Sequence, residues 1–191
     1  MTLDRFCSAC AAPLPHVPPV TCPVCRAEHW RDPKPCAGAV VEREGRILLV
    51  RRARDPWKGC WDVPGGYCEL EEHPASTAVR EVKEEVGLHV DVTGYLGAWP
   101  DVYGPAGSAD AEKATLNLYY TARAVGGEEG TGDPAETLEI GWFGPDEFPR
   151  DLAFPRHIAP VLEAWRRVFT SRMKLQPLLD LLAPGDEPDL S

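Results

Sequence analysis

Apolar positions fall into two kinds of pattern along the chain. From Cys36, two short β-branched runs, CAGAVVER and RILLVRR, flank Glu44-Gly45. Such runs on either side of a Gly-containing pair predict a β-hairpin. Farther on the period changes. Ala75, Val79, Val82 and Val86 recur at the spacing of one helix face. Pro74 suits the first turn of such a helix and Gly87 the position just past its end. A helix is therefore predicted over 74–86. Beyond it, HVDVTGYLGAWPDVY reads as one or two strands interrupted at Gly94 and Gly97, ATLNLYYTARAV as a strand and LEIGWF as a short one. The small, polar stretches 104–113 and 126–137 read as loops. Two helices are expected over 156–170 and 173–182, from Ile158, Val161, Leu162, Trp165 and Val168, then Leu175, Leu178, Leu179 and Leu182. The tail APGDEPDLS is expected to fray. Strand, strand, helix, strands, helix is the order of a mixed sheet with helices on its faces, an α/β or α+β domain.

Residues 1–31 do not share this pattern. They hold too few large apolar residues for a core, but they carry Cys7-x-x-Cys10 and Cys22-x-x-Cys25. Two such knuckles supply four thiolates for a tetrahedral Zn²⁺, whose binding then provides folding free energy. The competing reading is a set of free or redox-active thiols. His29 is either a spare ligand or a surface residue. A four-thiolate site has no open position, so this zinc is expected to be structural, in a ribbon that positions the N-terminal segment or forms a homodimer contact. Asp32-Pro33-Lys34-Pro35 reads as a linker, because two prolines interrupt regular structure. The expected organisation is a ribbon over 1–31, a main domain over 36–152, and C-terminal helices with an acidic tail over 153–191.

Composition adds limits. No stretch of the 191 residues approaches the roughly 20 apolar positions that span a bilayer, and MTLDRFCSAC lacks the apolar run of a secretory signal. A cytoplasmic location with no membrane partner is the expectation. There the seven cysteines are expected as metal ligands or thiols, not disulfides. Cys36, Cys60 and Cys68 lack ligand spacing and read as ordinary small residues, although Cys68 lies close to the acidic stretch and is a candidate reactive thiol. The net charge of −10 is uneven: residues 1–58 carry 10 Lys/Arg against 6 Asp/Glu, and the remainder 10 against 24. So acidic a chain is a poor general nucleic-acid binder. A basic segment facing an acidic cluster suits a small anionic ligand bridged through metal.

The acidic cluster lies in the predicted helix. A helical wheel places Glu81, Glu84 and Glu85 opposite the apolar stripe, at spacings i, i+3 and i+4. Like charges at these spacings repel, and the C-terminal half of a helix disfavours anions. Carboxylates stacked against both effects suggest a hard cation, Mg²⁺ or Mn²⁺; the bland alternative is a solvated acidic face. Upstream, RARDPWKGCWDVPGG reads as a loop whose Arg52, Arg54 and Lys58 are candidate phosphate contacts, or else a plain basic turn.

These residues carry a resemblance. Gly66, Glu72 and Arg80-Glu81-Val82-Lys83-Glu84-Glu85-Val86-Gly87-Leu88 match every specified position of the Nudix box, G-x5-E-x7-R-E-U-x-E-E-x-G-U. The chain is identified as a member of the Nudix hydrolase family, and a zinc ribbon ahead of such a domain is similar to the arrangement in NADH pyrophosphatases. The serine-glutamine-proline-tryptophan signature of NADH pyrophosphatases is absent; the region reads YLGAWPDVYGPAG. The resemblance implies an α/β/α sandwich with a mixed sheet, preceded by a small zinc ribbon. It implies divalent-metal-dependent hydrolysis of a diphosphate bond in a nucleoside diphosphate derivative (dinucleotide, nucleotide sugar or nucleotide). Glu84 and Glu85 match the paired metal ligands, Glu81 a metal ligand or base, Glu72 a carboxylate near the metal and Arg80 the arginine that orients them. The carbonyl of Gly65 or Gly66 matches a backbone ligand. A later loop glutamate often completes the site, with Glu128, Glu129, Glu136 and Glu139 as candidates. Trp99, Asp101, Tyr103 and the 104–113 loop are expected to touch base or sugar. The alternatives are a nucleotide-sensing or partner-binding module without turnover, and an isomerase on diphosphates.

Overall fold

The structure, a computed structural model, describes residues 5–30, 32–103, 113–130 and 132–182. The expected loop 104–113 falls outside these residues except for Lys113, which begins a strand.

The N-terminal piece is a two-stranded antiparallel ribbon, β1 (Val20–Thr21) with β2 (Glu28–His29). Its interior is small: Cys7, Leu14 and Cys22, with Ala12, Val20 and Ala27 against them.

The hairpin forms as the pattern requires. β3 (Lys34–Arg43) and β4 (Arg46–Arg52) pair antiparallel, and Glu44 and Gly45 turn the chain with φ of 51° and 75°. Two successive positive φ values match the twist of the flanking strands. The linker expected at 32–35 is only partly one: Lys34 and Pro35 already belong to β3. Proline is tolerated at the beginning of a strand, where a missing N–H costs little.

The expected loop after β4 ends in two short strands, β5 (Trp61–Asp62) and β6 (Gly65–Tyr67). Strands of two and three residues have no periodicity to read. Helix α1 (Pro74–Val86) has the expected bounds. His73 caps it, accepting from the Ala75 N–H, and Gly87 ends it at φ 86° with its own N–H on the Lys83 carbonyl. The stretch with two glycines is one strand, β7 (Leu88–Tyr103), which absorbs them as bulges against β8 (Lys113–Gly127). β9 (Thr137–Phe143) pairs with β4.

The strand order is β5-β4-β3-β8-β7, with β6 also on β3 and β9 also on β4. β3 and β8 are parallel and every other pair is antiparallel. The two expected C-terminal helices are one, α2 (Ile158–Leu182). Residues 170–173 contain neither glycine nor proline, so the exposed turn there continues, and Pro160 falls in the first turn, where it needs no partner for an N–H.

Helices cover both faces of the sheet. Ala37, Ala39, Val41, Leu48 and Val50 pack with Ala78, Val82 and Val86 of α1. Val40, Ile47 and Leu49 pack with Ile158, Val161, Leu162 and Trp165 of α2. That is why β3 and β4 read as continuous apolar runs: both of their faces are buried. Among the described residues no helix is long and apolar enough to cross a membrane.

Candidate active site and cysteine cluster

α1 does not place its glutamates evenly away from the core. Glu84 is exposed, but Glu81 is buried and Glu85 lies at the edge of the apolar stripe, beside Ala78. The expectation of three carboxylates opposite that stripe therefore holds only for Glu84. At 100° per residue, Glu85 stands a short arc from Ala78, and strand β6 covers that side.

Arg80 holds the cluster together. Its Nε donates to Glu72 Oε1 at 2.9 Å and its Nη2 to Glu72 Oε2 at 3.0 Å and the Tyr67 carbonyl at 3.1 Å. Its Nη1 donates to Glu81 Oε1 and Glu84 Oε2, both at 2.8 Å. One guanidinium thus offsets the repulsion that the spacing creates. These bonds, first among its causes, bring the Glu72 carboxyl down to about 2. Gly66 leaves room for the arrangement, since a Cβ there would collide with the Glu81 carboxylate.

Glu85 has no bond to Arg80. Its Oε2 accepts from the Gly65 N–H at 3.1 Å. Burial first, then Asp62 and Glu81, push its carboxyl well above the usual carboxylate range. Burial also raises Glu81, against the opposing pull of Arg80. Two buried carboxyls with raised pKa, beside a backbone strand, form a site that gains from a cation.

Glu81, Glu85, Arg80, Gly65 and Gly66 line an open cleft of about 500 Å³ with Arg52, Arg54, Cys68 and Glu136, whereas Glu72 and Glu84 are not in its lining. Of the loop candidates, Glu136 is the one that faces Glu81 and Glu85; its charge contributes to raising both. Arg54 Nη1 meets Glu136 Oε1 at 2.9 Å. Glu129 is spent on Arg43 and Trp142, and Glu139 lies in β9, paired with Arg51. Glu128 does not line the cleft. Arg52 reaches the cleft while its Nη1 bonds Asp62 Oδ2 at 2.9 Å.

Two other expected contacts are elsewhere. Lys58 is exposed and lines no part of the cleft. Trp99 packs against Tyr119 on the α2 side of the sheet, because Gly97 makes room for its ring. The Tyr103 side chain lies outside the described residues. Asp101 is buried against His157 Nδ1 at 2.7 Å. Asp62, Asn117, Phe154 and His157 were not singled out by sequence, although Asp62 and Asn117 are polar residues inside apolar runs, which is a readable signal.

In the ribbon, Cys7, Cys10, Cys22 and Cys25 bring their sulfurs within 4.8 Å of one another. Cys7–Cys25 and Cys10–Cys22 are 3.5 and 3.7 Å apart. A tetrahedron with metal–sulfur bonds of about 2.3 Å has edges of about 3.8 Å, so the four thiols fit zinc. The shifts divide within the cluster: the Cys25 backbone N–H, first among its causes, lowers the Cys22 thiol, while Cys10 is raised, the pull of the Ala12 backbone N–H outweighed by the neighbouring thiols and burial. His29 Nε2 lies 3.2 Å from Cys7 Sγ, a partner of a ligand and not a member of the four.

The NUDIX domain family model matches residues 32–164, from the start of β3 into α2. The chain belongs to the Nudix family of hydrolases. An ADP-ribose pyrophosphatase of Methanocaldococcus jannaschii is 33% identical over 127 residues, covering 65% of this chain and 69% of that protein. An Escherichia coli CTP pyrophosphohydrolase is 30% identical over 135 residues, 70% of this chain and 92% of the relative. A NAD-capped RNA hydrolase NudC of Stutzerimonas stutzeri is 29% identical over 151 residues, and the match spans 50% of that longer protein. Among solved structures, a Nudix hydrolase from Nitrosomonas europaea superposes with a TM-score of 0.69 at 27% identity, covering 89% of this chain and 93% of its own. As a Nudix hydrolase the chain is an enzyme of pyrophosphate hydrolysis, and the box is α1 with the turn that leads into it.

Proposed function

We propose that this Nudix hydrolase cleaves a diphosphate bond in a nucleoside diphosphate derivative, with Mg²⁺ or Mn²⁺ held by Glu84, Glu85, Glu72 and the Gly65 carbonyl and with Glu81, of its two expected roles, taking that of the base. The observation that carries the reading is the meeting of Glu81, Glu85 and Glu136 with Arg52 and Arg54 in one cleft. The oxygen-only donor set suits a hard divalent ion. Such an ion, when bound, neutralises the diphosphate and makes a bound water acidic enough to attack.

The protein residues have separate tasks. Arg80 fixes Glu72, Glu81 and Glu84 relative to one another before anything binds. The Gly65 N–H does the same for Glu85. Arg52 and Arg54 supply the cationic side, meeting phosphate oxygens that would otherwise face only carboxylates. Glu81 Oε1 is engaged by Arg80, which leaves Oε2 to take a proton from the attacking water; burial makes this carboxylate more basic than an exposed one. As the oxygen–phosphorus bond to water forms, the bridging oxygen–phosphorus bond breaks, giving two phosphate-bearing products. Glu136 is the loop carboxylate of the set. The four cysteines hold a structural Zn²⁺ that maintains the ribbon.

Incubation with ADP-ribose, NADH, a dinucleoside polyphosphate and CTP in Mg²⁺, with products resolved by chromatography, tests the proposal. Diphosphate cleavage of at least one, lost with EDTA, is expected. Tight binding with no turnover of any would replace the hydrolase reading with that of a nucleotide sensor, and rearranged products with that of an isomerase.

A further inference from the structure

Every buried polar side chain outside α1, among the described residues, belongs to one cluster: Asp62, Asp101, Thr115, Asn117 and His157. Burying such groups costs free energy that a fold does not spend five times in one place without a use. Asp62, Asn117 and His157 line a small cavity together with Tyr119 and Phe154. The cavity shares Arg52, Gly65, Gly66 and Tyr67 with the acidic cleft, so the two adjoin along β6.

The hydrogen-bonding character of the cavity can be read from what is already used. Asn117 Nδ2 donates to the Trp99 carbonyl and to Thr115 Oγ1, both at 3.0 Å. The Trp99 carbonyl accepts only, which fixes the amide orientation and leaves Asn117 with an acceptor, Oδ1. Asp62 accepts from the Val63 N–H and from Arg52, and keeps lone pairs on both oxygens. Asp101 takes the Val102 N–H on Oδ1 and faces His157 Nδ1 with Oδ2, so the imidazole is locked in orientation. His157 Nε2 has no partner among the described residues. Phe154 stacks on the His157 ring at 5.3 Å, Arg52 Cζ lies 4.8 Å from the Phe154 ring centroid, and Phe154 is held at φ 42°, a conformation an aromatic residue avoids.

We infer that this cavity reads the hydrogen-donating edge, an exocyclic amino or carboxamide group, of the heteroaromatic ring of the substrate, with Asn117 and His157 as specificity-determining residues. Asp101 acts through His157 as a positioning residue. The cavity measures about 50 Å³. A single water needs roughly 10–15 Å³, so the space admits the edge of a ring and leaves the diphosphate in the larger cleft. The inference rests on the cleft being the diphosphate site.

The test uses amino and oxo pairs on the full chain. Hydrolysis of ADP-ribose is compared with that of its inosine counterpart, and CTP with UTP; calorimetric binding of AMP is compared with IMP. The amino member is expected to be favoured at least about tenfold in kcat/KM and in affinity, because an oxo group turns an acceptor toward Asn117 Oδ1 and leaves it unpaired. Asn117→Leu should abolish the preference. Asp101→Asn should raise KM for the amino member and leave kcat in place, a split that mere loss of stability does not produce. Turnover that treats both members of each pair alike, with AMP and IMP bound equally or not at all, overturns the inference and leaves the hydrolase reading standing. Preferential AMP binding without turnover of any substrate does the reverse. Because the wild-type comparison needs no variant, a misfolded Asn117→Leu protein does not decide the outcome.

Discussion

The ribbon brings four thiols within 4.8 Å of one another, and α1 carries three glutamates that do not converge in this way among the described residues. The ribbon has three buried apolar-type residues at its centre, two of them the cysteines themselves. Without an ion it has little to hold its sulfurs together. α1 is anchored by Val82 and Val86, fully buried against the sheet, and Glu81 and Glu84 are held by Arg80 and Glu85 by the Gly65 N–H, all within the protein. In the ribbon, as proposed, an ion would hold the fold. On α1 the fold holds Glu81 and Glu85 where burial disfavours their charge, and the proposed ion would relieve it. The comparison sets a cation proposed for stability against one proposed for chemistry.

Breaking the contrast on the α1 side should have the largest effect. Glu85→Gln is expected to lower kcat by about 10³-fold or more, with the far-UV spectrum unchanged and the melting temperature equal or higher, because an unfavourable buried charge is removed. A large loss of stability in this variant would show that the carboxylate serves the fold. In the ribbon, Cys22→Ser or removal of zinc should make residues 5–30 susceptible to limited proteolysis while the hydrolase domain keeps its melting transition. Mass spectrometry under native conditions should find about one Zn per chain. Arg80→Ala should fall between these, with kcat reduced on the order of 10- to 100-fold and Mg²⁺ binding weakened, since Glu72, Glu81 and Glu84 lose their common partner. Val82→Ala cuts the scaffold without touching a carboxylate and should cost roughly 1–3 kcal/mol by denaturant titration, with kcat of the folded fraction unchanged.

The smallest effect is a dependence on pH. Glu81 and Glu85 have folded pKa values above the ordinary carboxylate value. Such groups favour the fold when protonated, and that contribution is lost as pH rises through the raised values. Metal-free protein should therefore melt higher as pH falls from neutral toward the ordinary carboxylate value, and saturating Mg²⁺ should flatten the slope. Glu72 runs the other way: its stabilisation is present above the ordinary value and disappears as pH falls toward about 2. A steeper loss of stability between those limits in wild type than in Glu72→Gln would confirm the sign.

What the sequence disclosed depended on whether a pattern could repeat. The 13 residues of α1 contain enough turns for Ala75, Val79, Val82 and Val86 to declare a face, and Pro74 and Gly87 to declare the ends. The box then named the chemistry. β5 and β6 are too short to alternate, so Asp62 and the Gly65 N–H stayed hidden inside what read as a basic loop. Trp99 looked like a ligand-facing aromatic, yet strand bulges decide which way a residue of β7 points, and bulges are not written in alternation. Lys58 shows the converse limit, for a cation in a loop need not reach the site its neighbours reach. His157 and Asp101 are 56 positions apart, and only the docking of α2 onto the sheet makes them partners.

The loop that bears Glu136 is fastened to the helix it serves. The Gly130 N–H bonds the Val86 carbonyl at 2.9 Å and the Asp133 N–H the Glu84 carbonyl at 2.8 Å, and a side chain on Gly132 would collide with the backbone of Glu85. These bonds satisfy carbonyls that the end of a helix otherwise leaves open. The consequence is mechanical: Glu84, Glu85 and Glu136 move as one body. A lengthened 128–135 segment would carry one carboxylate away from the others, so the freedom to vary chain length around this cleft has to be found in other loops.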